Sequence, residues 1–173
     1  MEDDAARGGE EAAPGAGRSR LVTATVPTPD AGIRFSGSHK RSIDDKGRLV
    51  LPPAIRDELR GGAFLRPMEA GVALWPPEVL AQMRQTLLEQ GRRGNLGARN
   101  ALRALTANAT RVVPDSQGRI PFPGELRARA GVDAEVVVVG AGPYVELWAP
   151  DRWTPINDDG EAGLVDSWIT YEF

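Results

Sequence analysis

Apolar residues along the middle of the chain come in short runs separated by turn chemistry, and the series of runs occurs twice. The first copy begins with Ile43-Asp44-Asp45-Lys46-Gly47-Arg48-Leu49-Val50-Leu51-Pro52. Asp-x-x-Gly-Arg between apolar flanks predicts a tight turn: the aspartate bonds to backbone two residues on, and glycine takes the positive φ. Leu49-Val50-Leu51 then reads as a short strand ended by Pro52-Pro53. Proline costs a helix nothing in its first turn, so 53–59 reads as a two-turn helix stopped by Gly61-Gly62. Strands follow at 62–66 and 72–75. The second copy repeats this from Pro114, with a helix at 123–130 stopped by Gly131 and a hairpin formed by 136–139 and 144–148.

At a constant offset of 71, Asp44, Gly47, Arg48, Pro52 and Arg56 coincide with Asp115, Gly118, Arg119, Pro123 and Arg127, while Leu49, Leu51 and Ile55 keep apolar partners in Ile120, Phe122 and Leu126. Val72-Ala73-Leu74-Trp75 matches Val145-Glu146-Leu147-Trp148 at an offset of 73, so the two added residues fall in a connection. Between the copies lie two helical stretches. Pro77-Glu78 opens the first, and Gly91–Gly94 breaks it. Asn95 caps the second, which runs to about Asn108 and carries Arg99 and Arg103 on one face.

A unit of about 40 residues with short strands cannot bury a sufficient core alone. Two units must interleave their hairpins, and with both in one chain an intramolecular pseudo-dimeric barrel is the economical solution. The expected fold is therefore α+β, mainly β: a pseudo-twofold, double-split, swapped-hairpin barrel with helices between and flanking the repeats. The domain reading is an acidic, mostly disordered extension at 1–32 with one strand-like stretch at 21–26, a first repeat at 33–80, a helical connection at 81–108, a second repeat at 109–155, and a loose acidic tail at 156–173 in which Trp168, Tyr171 and Phe173 could dock. Leu80, Leu87 and Leu102 add apolar surface beyond what a small barrel covers, which suggests association of copies.

Composition narrows the chemistry. The chain holds no cysteine and one histidine, His39, so thiolate sites, disulfides and a two-histidine metal site are excluded. No run of about 18 apolar residues occurs, so no membrane span is expected, and the acidic Met1-Glu2-Asp3-Asp4 start does not read as a secretory leader. Without nucleophile, Walker, dinucleotide or metal-ligand motifs, an enzyme is not expected, and neither catalytic residues, cofactor, metal nor small-molecule ligand is assigned. The overall charge of −3 conceals a division: −3 in residues 1–30, +5 in 31–150 and −5 in 151–173. A cationic centre between acidic ends is compatible with nucleic-acid binding and a cytoplasmic, nucleoid-associated location.

From Ile33 to Pro155 the chain resembles the MraZ family, tandem relatives of the AbrB-like swapped-hairpin proteins. The resemblance rests on Phe35-Ser36-Gly37, on Asp44–Arg48 and Asp115–Arg119, and on Leu51-Pro52 followed by Arg56. Ala130-Gly131-Val132 with Glu135–Gly140, Glu146-Leu147-Trp148 and Trp153 complete it. It implies a DNA-binding transcriptional regulator of a division and cell-wall gene cluster, forming rings of subunits on short repeated boxes upstream of its own operon. The chain departs from the family in the extension before Phe35, in Pro121 within the second motif strand, and in the pattern of 157–173. An alternative is a non-catalytic oligomeric protein-interaction module or another AbrB-like regulator, which salt-dependent binding to promoter DNA would separate from the first reading.

DNA binding requires cations to meet phosphates and side chains able to reach base edges. Arg48 and Arg119 follow the Gly turn where a β-ribbon could present them to the major groove, and arginine suits bidentate contact with guanine. Lys46 and Gln117 occupy one repeat position, lysine suiting phosphate or guanine and glutamine suiting adenine or backbone. Lys40 and Arg41 add positive charge beside the first turn. Asp44 and Asp115 are assigned to holding the turns, and Gly47 and Gly118 to their conformation. For Arg48 and Arg119 two roles stay open, direct contact with DNA and shaping of the turn. Trp75 and Trp148 end apolar strands and are assigned to the core. The segment 40–48 carries four cations and two acids against two and one in 111–119, so the first hairpin is expected to lead.

Overall fold

The computed structural model describes residues 33–170, with side chains through Leu164. The readings of 1–32 and of Trp168, Tyr171 and Phe173 lie outside these residues. The elements in order are β1 (Ser38–Ser42), β2 (Arg48–Val50), α1 (Pro53–Glu58), β3 (Ala63–Pro67), β4 (Val72–Trp75), α2 (Pro77–Arg92), α3 (Leu96–Ala107), β5 (Thr110–Val112), β6 (Arg119–Pro121), α4 (Gly124–Ala130), β7 (Glu135–Gly140), β8 (Val145–Trp148) and α5 (Pro150–Thr170). The periods and breakers along the chain account for them. Prolines open α1, α2 and α5, where the missing N–H has no helical partner to lose. Gly131, at φ 70°, ends α4, and Asn95 caps α3 by accepting from Ala98 N.

Among the described residues eight strands form an antiparallel six-stranded sheet, ordered β1-β7-β8-β4-β3-β5, and a separate two-stranded ribbon, β2-β6. Exchanging each strand of one repeat for its counterpart in the other (β1 for β5, β2 for β6, β3 for β7, β4 for β8) leaves both orders unchanged but reversed. The central pair β4-β8 joins the repeats, with Ala73 opposite Glu146. Each repeat also sends its first strand to the other: β1 pairs with β7, Lys40 opposite Val137, and β5 with β3, Arg111 opposite Phe64. Neither repeat contains a complete sheet.

The expected barrel does not close. The six-stranded sheet is open, with β1 and β5 at its edges, and a lone bridge between Ile43 and Leu49 links β1 toward the ribbon. Prolines explain the short ribbon. Pro52 and Pro53 follow β2, and Pro121 and Pro123 lie in and after β6, and a proline offers no ladder donor. Pro121 is accommodated because β6 has one strand neighbour.

The core lies between the sheet and the ribbon. Leu49 and Ile120 point into it from the ribbon, and Val136, Val138, Leu65, Leu74, Val145 and Leu147 from the sheet. Ile55 of α1 and Ala130 of α4 close its ends. Burial of each large apolar side chain here stabilises by roughly 1.5–3 kcal/mol. The opposite face of the sheet is covered by helices. Val79 of α2 packs with Ala73 and Trp75, and Trp75 stacks on Tyr144 at 4.1 Å between ring centroids. Trp153 of α5 packs with Val137, Val139 and Trp148.

Two expectations change. Leu87 is buried with Ala98 and Leu105 where α2 and α3 meet, and Leu80 and Leu102 pack against that cluster. Their apolar surface is satisfied within the helical hairpin and no longer argues for association. The chain after residue 155 is helical through Thr170 rather than loose, although Pro155 lies inside the helix. Pro155 is the sixth residue of the helix and forgoes the N–H bond to Asp151 O, and Trp153 anchors the turn before it to the sheet.

Candidate nucleic-acid interface

The two Asp-x-x-Gly-Arg turns have nearly the same geometry. Asp44 Oδ1 accepts from Lys46 N at 3.0 Å and Arg48 N at 2.9 Å, and its Oδ2 accepts from Arg48 Nε at 2.8 Å. Arg48 Nη2 lies 2.8 Å from the same oxygen. In the second turn Asp115 Oδ1 accepts from Gln117 N and Arg119 N, both at 2.9 Å, and Oδ2 accepts from Arg119 Nε at 2.7 Å. Gly47 N donates to Asp44 O at 2.8 Å, and Gly118 N to Asp115 O at 2.9 Å. The closing glycines have φ of 71° and 74°, a region that residues with a Cβ rarely enter. The side-chain bond from Arg48 holds the Asp44 carboxyl below its usual range, and the Arg119 backbone N–H, followed by its side chain, does the same at Asp115.

The ribbon presents the two arginines together. Leu49 and Ile120 are opposite one another and buried. Side chains alternate across a strand, so Arg48, Val50, Arg119 and Pro121 share the outward face. Arg48 is opposite Pro121 and Arg119 opposite Val50, which puts the two arginines at diagonal ends of a three-residue ladder. Each keeps about a quarter of its side chain accessible, 29% for Arg48 and 25% for Arg119. Asp44 engages Nε and Nη2 of Arg48 and Asp115 engages Nε of Arg119, so each guanidinium is held in a fixed orientation with N–H donors left over. Turn shaping and outward presentation are thus compatible in the same side chain.

The remaining sequence candidates separate. Lys46 and Gln117 are exposed at the turn tips, at opposite ends of the ribbon. Lys40 is opposite Val137, whose side chain lies on the helix-covered face, while Arg41 is opposite Val136, which points into the core. Facing pairs share a face. Lys40 therefore lies on the face away from the ribbon, and Arg41 lies on the ribbon's face at the sheet edge, where its Nη1 donates to Lys40 O at 2.8 Å. Arg99 and Arg103, on α3, are held by Gly91 O and Asn100 Oδ1.

Two arginines without an assigned role come to the turns. A Cβ at residue 118 would sit 2.4 Å from Arg56 Cδ, and one at residue 47 would sit 3.4 Å from Arg127 Nη2. Arg127 Nε also donates to Phe122 O at 3.1 Å. Backbone bonds cross the same way: Leu51 N donates to Gly118 O at 3.0 Å and Phe122 N to Gly47 O at 2.8 Å. The helix arginine of each repeat covers the turn of the other. Their coincidence at the offset of 71 was the signal available in the sequence. Arg56 and Arg60 both contact Asp57 Oδ1, at 3.0 and 3.1 Å, and with Pro114, Asp115 and Ser116 they line a cleft of about 380 Å³ beside the second turn.

A tandem pair of strand-turn-strand-helix-hairpin units, sharing one sheet and presenting a two-stranded ribbon with an arginine at either end, defines the class of protein. Its relatives make the family specific. The family described as "MraZ protein, putative antitoxin-like" matches residues 105–165. A protein of Kineococcus radiotolerans named Transcriptional regulator MraZ is 36% identical, over 76% of this chain and 92% of its own length. Its namesake in Paenarthrobacter aurescens is 33% identical over 77% and 93%, and that of Thermomicrobium roseum 38% identical over 69% and 84%. The chain belongs to the MraZ family.

Proposed function

We propose that this protein is a sequence-specific, DNA-binding transcriptional regulator rather than an enzyme. It reads repeated promoter boxes upstream of its own operon, in a division and cell-wall gene cluster, from the cytoplasm and in association with the nucleoid. The observation that carries this reading is the placement of Arg48 and Arg119 on one outward face of the β2-β6 ribbon, each oriented by its own aspartate. A two-stranded ribbon fits the major groove, and an oriented guanidinium matches guanine O6 and N7. Lys46 and Gln117 at the tips supply a phosphate contact and an amide able to read adenine or backbone. Arg41 and Lys40 contribute to the surrounding field rather than to the ribbon face. The names of the relatives support regulation of transcription. Among the described residues no helix is long and apolar enough to cross a membrane, and no cluster of metal-ligating side chains occurs.

The fold follows the swapped-hairpin plan of AbrB-like proteins, with both exchanged units in one chain, and copies of the chain assemble as a ring-like homo-oligomer. The strand exchange β1-β7 and β5-β3 supports the first point, and family membership the second. Binding of the purified chain to duplex DNA from upstream of its own gene, measured across a salt series, tests the reading. Affinity that falls steeply with salt and exceeds that for scrambled duplex is expected. Absence of binding to either duplex would leave an oligomeric protein-interaction module in its place.

A further inference from the structure

We infer that each DNA-contact centre is built from both repeats: α1 of the first repeat completes the second turn, with Arg56 and Arg60 forming a seat for a backbone phosphate, and Arg127 of α4 completes the first turn. This rests on the DNA-binding reading above and assigns contacts within it. The geometry is reciprocal. Arg56 packs over Gly118 and Arg127 over Gly47, each turn tied by a backbone bond to the segment leading into the other repeat's helix. The cleft of about 380 Å³ at the second turn lies between Arg56, Arg60 and the 114–116 segment, with Ser116 among its lining residues. Asp57 holds both guanidiniums to one carboxylate oxygen and so keeps them side by side. Two adjacent guanidiniums, with donors left over from that pairing, suit a tetrahedral anion.

Charge at the turns changes accordingly. In sequence order the first turn segment is the more cationic. In the fold the first turn gathers Lys46, Arg48 and Arg127 against Asp44 and Asp45, and the second gathers Arg119, Arg56 and Arg60 against Asp115 and Asp57. Three cations meet two acids in each. Arg60 has no counterpart in the second repeat, where the equivalent position is Gly131, and it makes up for the Lys46/Gln117 exchange. Counted over the residues that meet at each turn, the two ends of the ribbon carry the same charge, so the two turns are expected to contribute alike.

Arg60 makes the test clean, because 76% of its side chain is exposed and, among the described residues, its one ion pair is to Asp57. Binding of the full chain to its upstream duplex would be measured across a salt series for the wild type, Arg60→Gln, Arg56→Lys, Arg48→Ala and Arg119→Ala, with a thermal melt on each. Arg60→Gln is expected to weaken binding and to reduce the salt slope by about one for each engaged subunit, with an unchanged melt. Arg56→Lys keeps the slope, because it keeps the charge. In double variants, Arg60→Gln with Arg119→Ala departs from additivity by at least about twofold, whereas Arg60→Gln with Arg48→Ala is additive. Wild-type affinity and slope in Arg60→Gln, or coupling to Arg48 in place of Arg119, would overturn the composite centre while leaving DNA binding intact. Failure of the wild-type chain to bind duplex DNA would overturn both.

Discussion

At the scale of the residue, the turn motif is an economical device because one aspartate does three things. It accepts two backbone N–H groups, fixes the arginine that follows the glycine, and forces a conformation that glycine alone adopts readily. The glycines are not equivalent, however. Both would pay the left-handed penalty of roughly 1–2 kcal/mol on substitution by alanine. At 118 the new Cβ also meets the Arg56 stem at 2.4 Å, while at 47 its nearest neighbours are Arg127 Nη2 at 3.4 Å and Phe122 O at 3.7 Å, both at van der Waals distance. Gly118→Ala is therefore expected to lower the melting temperature more than Gly47→Ala, and equal losses would show that Arg56 moves aside freely. The aspartates set a pH dependence with a definite sign. Their carboxyls titrate lower in the folded chain than in the unfolded one. Their contribution is fully present above the ordinary carboxylate range and is lost as pH falls through the depressed folded values. Urea titrations from pH 6 down to pH 3 should show a stability loss that Asp44→Asn with Asp115→Asn makes shallower.

At the scale of the element, the ribbon is short and is held by what lies under it. Leu49 and Ile120 are both within 1% of full burial and are its only inward side chains, so truncation of either to alanine is expected to cost about 2–5 kcal/mol. Ladder bonds alone cannot compensate over three residues. Loss of DNA binding in Leu49→Ala should then track unfolding, whereas loss in Arg48→Ala should occur with the melt little changed. Comparison of the two melts separates a support from a contact. The α2-α3 hairpin depends on local signals instead. Asn95→Ala removes the acceptor for Ala98 N and is expected to cost about 1 kcal/mol, with no effect on the ribbon on the other side of the sheet.

At the scale of the whole molecule, the repeats cannot be separated. β1 needs β7, β5 needs β3, and the ribbon takes one strand from each repeat. A chain cut between α3 and β5 is expected to yield halves that fold only when mixed, if at all, which circular dichroism of each half and of the mixture would show. The ends are a different matter. Arg152 reaches Ala70 O and Arg129 O, and Trp153 packs on the sheet, but beyond them α5 is exposed at each position through Leu164 except Asn157. A chain of residues 33–155 keeps these anchors and should retain a cooperative melt. Light scattering on that shortened chain and on the full one, both giving a particle larger than one chain, would support the ring; a monomer at micromolar concentration would reject it.

The repeat, the order of its elements and the chemistry of its turns were legible in the sequence because each is local. Asp-x-x-Gly-Arg specifies a turn within five residues, Pro52-Pro53 and Gly61-Gly62 bound a helix, and the offset of 71 shows that one solution is used twice. Even the need for two interleaved units follows from the size of one. Which strand crosses to which partner, whether the sheet closes, and which side of it Lys40 faces depend on pairings between residues far apart in the chain, and no local pattern records them. The same holds for the charge around each turn. Sequence order counts the cations next to a motif, but Arg56 and Arg127 reach the turn of the opposite repeat because the shared ribbon brings β2 and β6 together. The sequence by itself determined the parts and their number; tertiary structure decided the company each arginine keeps, because electrostatics and packing act through space and not along the chain.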